Sequence, residues 1–379
     1  MFGILCARWF VLSFVLFSGV APSSSSSTAG AGKWSTDRAT RWYSSQPWLV
    51  GSNFVPSTAM NELEMWQKDT FDIATIDREL GWAESLGMNT MRVFLHNLVW
   101  QEDSKAFLER LEKFLSVAEK HKIRITFVLL DSVWDPYPKL GKQRAPRPHV
   151  HNSGWVQAPG ADILKDSTRW DRELKPYVKG VLDHFGHDPR VLMWDLMNEP
   201  DNDNPPYKAQ ELSNKAALAL QLLRQEWEWA REVDPSQPLT SGVWKGDWSS
   251  DSALSETARY QLDNSDVITF HSYDPPEMVT RKLVSLRRYG RPIICTEYMA
   301  RPLGSTFQTV LPLLKKEKVG AYNWGFVSGK SQTIYPWDSW EKQYTAPPAI
   351  WFHDIFHSDG TAYDPAEVKV IQQLTGKRE

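Results

Sequence analysis

Cysteine is nearly absent: positions 6 and 295 hold the only two in 379 residues, too few for the disulfide frameworks that staple small exported domains. An excess of one charge is lacking as well. Lys and Arg total 43 against 46 Asp and Glu, a net charge of -3, and no basic cluster stands out along the chain. That balance offers neither an electrostatic footprint for nucleic acid nor a polybasic membrane patch. Nor does the apolar run from Trp9 to Phe17 approach the roughly 20 residues a bilayer-spanning helix needs. After Lys33 there is no composition break and no low-complexity linker, so the chain reads as one folded domain; a monomer is expected.

The short N-terminal run has a different reading. Arg8 precedes it and the small residues Ser18, Gly19 and Ala21 follow it, the pattern of a signal peptide over residues 1–21. A Ser/Ala/Gly-rich lead-in then covers 22–32, and 33–379 is the folded part. The expected product is secreted, extracellular or periplasmic, without stable membrane insertion. Removal of 1–21 takes Cys6 with it; Cys295, in "PIICTEYM", reads as a small buried hydrophobe rather than a reactive thiol.

What the sequence has in excess is tryptophan, 19 in all. Several stand in stretches carrying Gly, Pro, Asp and Ser: Trp134, Trp155, Trp244, Trp248, Trp337 and Trp340. Each is either a cap on a large core or a flat apolar platform, and sugar rings are one ligand that stacks on such platforms.

Short β-rich runs alternate with helical patterns. The strand candidates are 49–55, 90–96, 123–131, 191–199, 238–244, 267–273, 292–299 and 320–326. Between them, Ile76, Leu80 and Ala83 keep a helical period, as do Phe107, Leu111, Phe114 and Ala118; Gly87 and Gly290 stop helices shortly before the next strand. Eight strands, each followed by a helix, predict an α/β fold, a single-domain (β/α)8 TIM barrel, although the unit after 238–244 is helically weak. The longest irregular loop, 132–166, follows the third strand.

Catalytic groups in such a barrel come from the C-terminal ends of strands. Glu199, closing "WDLMNEP" on the fourth strand, and Glu297, in "CTEYMAR" on the seventh, both stand there. Two carboxylates on one rim, among tryptophan-bearing loops, are the pair glycoside hydrolysis requires: one protonated to release the leaving oxygen, the other ionised. The bland alternatives are a capping or salt-bridged Glu199, an internal ion pair for Arg92 and a satisfied core imidazole for His271.

"WDLMNEP" and "TEY" resemble the retaining (β/α)8 glycoside hydrolases of the clan that includes family 5 cellulases and mannanases, over essentially the whole chain after Lys33. The resemblance implies hydrolysis of β-glycosidic bonds in a β-linked poly- or oligosaccharide, without cofactor or metal. It implies Glu199 as acid/base, Glu297 as nucleophile and Asn198 as donor to the sugar 2-hydroxyl. Arg92 in "TMRVF" would support the nucleophile, "FHSY" would supply His271 and Tyr273, and Trp324 in "AYNWGF" would form the floor under the sugar. Beside Glu297, Arg92 is expected to lower its pKa and a Tyr273 hydroxyl to orient it; Glu199, with fewer donors, is expected to rise towards neutrality.

One departure from the pattern is the end of the third strand, where "VLLDSVWD" offers Asp131, Trp134 and Asp135 in place of a histidine; it leaves the sugar recognised beside the cleaved bond open. After the first strand, Asn61, Glu62, Glu64 and Trp66 either line a subsite or cap the barrel. Two other function classes remain: a non-catalytic carbohydrate-binding barrel using the aromatic rim, and a metal-dependent hydrolase. The second lacks a His-x-His on the first strand, and "HVH" at 149–151, flanked by Pro148 and Asn152, reads as polar surface.

Overall fold

A computed structural model describes Met1 and residues 32–377, so the signal and lead-in segments expected over 1–32 lie, save their two end residues, outside the described residues. The chain divides by contacts into Met1–Gly30 and Ala31–Glu379, and every element described belongs to the second unit.

Eight parallel strands form the predicted barrel. They are β1 (Val50–Asn53), β2 (Thr90–Phe94), β3 (Arg124–Asp131), β4 (Val191–Asn198), β5 (Leu239–Thr240), β6 (Ile268–His271), β7 (Ile293–Tyr298) and β8 (Gly320–Asn323). Each lies inside its expected span. Sequential neighbours pair in parallel from β1 to β5 and from β6 to β8, and β8 returns to β1, with Val50 opposite Ala321. The remaining gap is bridged after β5, where Val243 donates to the Thr269 carbonyl at 3.1 Å and accepts from His271 at 3.0 Å. Every strand residue is buried except Arg124, which is why the long strands β3 and β4 read as near-continuous apolar stretches.

The helices form for local reasons. Asp72 caps Ile73–Ser85 by accepting from the Thr75 amide, and Ile76, Leu80 and Ala83 face inward. Asp103 caps Ser104–Lys120 in the same way, and Phe107, Leu111, Phe114 and Ala118 are fully buried, each large side chain contributing about 1.5–3 kcal/mol. Gly87 and Gly290 take φ of +73° and +62°, a conformation disfavoured with a Cβ, and end their helices where expected. The weak unit after β5 resolves into a helix at Glu256–Asn264, whose apolar face is only Ala258 and Leu262 beside Thr257 and Gln261. That mixed face is what obscured its period. Among the described residues no helix is long and apolar enough to cross a membrane.

Candidate active site

The barrel mouth is organised around Arg92. Its side chain is fully buried, and all five of its N–H groups are used. Nε and Nη2 donate to Asp195 Oδ2 at 3.0 and 2.9 Å, Nη2 to Asn198 Oδ1 at 2.8 Å, and Nη1 to Asn53 Oδ1 at 2.8 Å and Glu297 Oε1 at 2.9 Å. A guanidinium so held fixes residues from β1, β4 and β7 relative to one another. Neither Asn53 nor Asp195 stood out in the sequence. A charged residue inside an apolar strand such as "VLMWDLMN" was the available signal, because it must be paired to be buried.

Glu199 directly follows β4 with a backbone φ of +42°, a strained value for a residue with a Cβ. The residue is 8% exposed. Oε2 accepts from Asn202 Nδ2 at 2.6 Å, and Oε1 lies 2.8 Å from His271 Nδ1. Glu297 Oε2 accepts from the Tyr273 hydroxyl at 2.6 Å and stands 3.5 Å from the same His271 nitrogen. One oxygen of each glutamate and a ring nitrogen of His271 all lie within 4.8 Å of one another. Three such groups are a possible cation cradle, but Arg92 Nη1 is 2.9 Å from Glu297 and already supplies positive charge there.

Burial acts on both carboxylates. Burial pushes Glu199 up to about 7, with Asn202 as the principal opposing donor. Burial also pushes Glu297 up, against His271, Arg92 and the Tyr273 hydroxyl. The expectation that Arg92 leaves Glu297 below the usual range is therefore corrected: the arginine pulls in that direction, but desolvation is larger. Burial holds His271 at about 4, so its ring is neutral at neutral pH. A neutral imidazole donates to an ionised Glu199 or accepts from a protonated one, and one contact serves both states.

Asp131, at the end of β3, is tied into the same network. Its Oδ1 accepts from Asn198 Nδ2 at 3.0 Å and its Oδ2 from Trp155 Nε1 at 2.7 Å, while burial pushes it up to about 7. Asn198 is thus gripped from both sides, by Arg92 and by Asp131.

Over these groups opens a cleft of about 670 Å³. Six tryptophans line it, Trp134, Trp155, Trp244, Trp324, Trp337 and Trp340, with Tyr273, Asp131, Asn198, Asn202 and both glutamates. Trp134 and Trp340 stack with centroids 5.3 Å apart and planes at 12°. Trp324 is wedged edge-on against Phe94 and Trp155, each 5.8 Å away. Of the tryptophans singled out in sequence, Trp248 is the exception: 3% exposed and packed on Phe270, it belongs to the core.

Every residue expected at the site converges on this mouth: Glu199, Glu297, Arg92, Asn198, His271, Tyr273, Trp324, Asp131 and Trp134. One reading changes and one open alternative closes. "HVH" is not surface, because His149 is half-buried and His151 only 2% exposed and on the cleft wall, with burial holding its imidazole at about 4. Asn61, Glu62, Glu64 and Trp66 are buried away from the cleft and cap the barrel; Asn61 caps its own helix, and Trp66 donates to the Phe94 carbonyl.

No family model matches the chain, and no curated protein matches it. Among solved structures it is similar to the GH5_18 protein from Streptomyces cattleya in complex with GlcNAc, at 12% identity and a TM-score of 0.56 over 87% of this chain and 81% of that one. The endo-1,4-β-mannanase from Rhizomucor miehei gives 15% identity and 0.55 over 88% and 96%. The exo-β-1,4-mannosidase Op5Man5 from Opitutaceae bacterium strain TAV5 gives 18% and 0.56 over 87% and 59%. The fold is the one these proteins share. At such identities the likeness concerns the barrel and its strand order; the chemistry rests on the side chains at this chain's own mouth.

Proposed function

We propose that the chain is a retaining β-glycoside hydrolase with Glu199 as acid/base and Glu297 as nucleophile. The observation that carries the reading is the pair itself: two buried carboxylates from β4 and β7, with oxygens within 4.8 Å, beneath an aromatic cleft. A retaining pair stands about 5–5.5 Å apart, whereas an inverting pair needs roughly 6.5–9.5 Å to admit a water.

In the first step Glu297, oriented by Arg92 and Tyr273, attacks the anomeric carbon while Glu199 donates its proton to the departing glycosidic oxygen. A covalent glycosyl ester on Glu297 and a free alcohol result. In the second step Glu199, now ionised and held by His271 and Asn202, takes a proton from water. The hydroxide so formed displaces Glu297 and restores both groups. Asn198, locked between Arg92 and Asp131, presents an amide to the sugar 2-hydroxyl, and Trp324 supports the ring.

Similar structures carry mannanase and mannosidase activities or hold GlcNAc, so β-1,4-linked mannose and N-acetylglucosamine glycans are the first substrates to test. The reading also includes export after removal of residues 1–21, supported by Arg8, the apolar run and the small residues near Ala21. The test is a panel of aryl β-glycosides and soluble β-glycans with products followed over time. Cleavage supports the reading. Binding without cleavage by folded protein would replace it with the carbohydrate-binding barrel.

A further inference from the structure

The loops after β3 and β8 are stitched together across the mouth. The Asn152 amide donates to the Ser331 carbonyl at 2.8 Å, the His149 amide to Gln332 Oε1 at 2.7 Å, and Gln332 Nε2 returns to the Arg147 carbonyl at 2.8 Å. The His151 amide donates to Ser339 Oγ at 2.9 Å, and Trp340 Nε1 to the His151 carbonyl at 2.9 Å. The rings of His149 and His151 sit 2.7 and 2.8 Å from the Tyr344 and Tyr335 carbonyls. In the barrel β3 and β8 are separated by β2 and β1, so this seam passes over the ends of both.

The cleft reflects that seam. Its lining comes from the ends of β3, β4 and β7 and from the loops after β3, β4, β5, β6 and β8, and none of it from β1 or β2 or the segments that follow them. The β1 loop is pinned beneath instead: the Lys330 amide donates to the Ser57 carbonyl at 3.0 Å, and Asn61 Nδ2 to the Gly154 carbonyl at 2.8 Å. Asn53, Phe54 and Phe94 line only a separate void of about 20 Å³ behind Trp155 and Trp324, room for about one water and far too small for a sugar.

The direction of the substrate follows from the acid. Glu199 must touch the departing oxygen, so the leaving group lies on the β4 side, and the ring being cleaved lies over Trp324 on the β8 side. A glycan continuing beyond that ring would run over β8, β1 and β2, where the seam stands.

From this geometry, and resting on the hydrolase reading, we propose that the chain attacks from the non-reducing end: the β3–β8 seam closes the subsite for the cleaved ring, and one monosaccharide is released per event. The seam, rather than a catalytic group, sets that specificity.

The test uses the wild-type protein with reducing-end-labelled β-1,4-linked pentasaccharides of mannose, glucose and N-acetylglucosamine, each also made with the non-reducing terminal sugar capped as its 4,6-O-benzylidene acetal. The expected result is monosaccharide as the sole first product, a labelled chain shortened by one residue, and loss of cleavage on capping. Disaccharide or longer sugars among the first products, or a capped substrate cut as fast as its parent, would overturn the end-attack proposal and leave the hydrolase reading standing. No cleavage of any pentasaccharide or aryl β-glycoside would overturn the hydrolase reading and this proposal with it.

Discussion

Asn202→Ala is expected to move one limb of the pH profile and leave the other in place. Asn202 Nδ2 donates to Glu199 Oε2 at 2.6 Å, and that bond favours the ionised carboxylate. Glu199 already stands at about 7, so deleting the donor raises it further. A hydrogen bond to a charged group contributes about 1.5–3 kcal/mol. At about 1.4 kcal/mol per pH unit, the shift is roughly one to two units, nearer one if water replaces the amide. Since Glu199 works protonated in the first step, its ionisation sets the alkaline limb of kcat/KM, which should move from near 7 to about 8 or above. Asn202 makes no bond to Glu297, so the acid limb should stay. The variant also loses the bond from the Asn204 amide to Asn202 Oδ1, 2.8 Å long, so a drop in stability of about 1 kcal/mol is expected and is measured separately by thermal melting. An alkaline limb that stays still, or moves down, would refute the assignment of that limb to Glu199.

Tyr273→Phe should raise the acid limb, because the lost hydroxyl, 2.6 Å from Glu297 Oε2, opposes the burial that lifts this carboxylate; kcat/KM measured from pH 3 upward checks it. Arg92→Met leaves Asp195 and Glu297 buried without their cation and should cost about 3–5 kcal/mol of stability, read as the shift in a urea midpoint. Glu79, buried against Ser57 and pushed up to about 7, favours folding while protonated, so its contribution is complete below its ordinary value and is lost as pH rises through about 7. Glu79→Gln should therefore flatten the fall in stability between about pH 4.5 and 7, a change of up to about 3 kcal/mol, followed by denaturation at a series of pH values.

The strands were legible because they are buried on both faces, so that β3, β4 and β7 read as compact apolar runs, and Glu199 and Glu297 because a charge at the end of such a run is conspicuous. The weakest element, Glu256–Asn264, buries a mixed face that carries little periodicity. Asn53, Asp195 and Asn202 were not singled out: their role depends on Arg92 and Glu199, partners at the end of long-range folding contacts that no local pattern encodes. The seam was also hidden. The long loop after β3 announced itself by length, but each of the seam's bonds to 331–344 uses a backbone group on at least one side, and every sequence possesses those. "HVH" was misread for the same reason, since flanking Pro and Asn suggest surface, whereas the histidines are buried by a loop almost two hundred residues away.

The central claim is that Glu199 is the acid/base and Glu297 the nucleophile of a double displacement. With Glu199→Ala and an aryl β-glycoside carrying a good leaving group, the intermediate should still form, since that group departs without a proton, and should then accumulate. Azide, which needs no general base, should accelerate the second step. The decisive measurement is the anomeric configuration of the sugar azide, assigned by proton NMR. The account predicts the β-glycosyl azide; an α-azide, or no acceleration by azide, would contradict it.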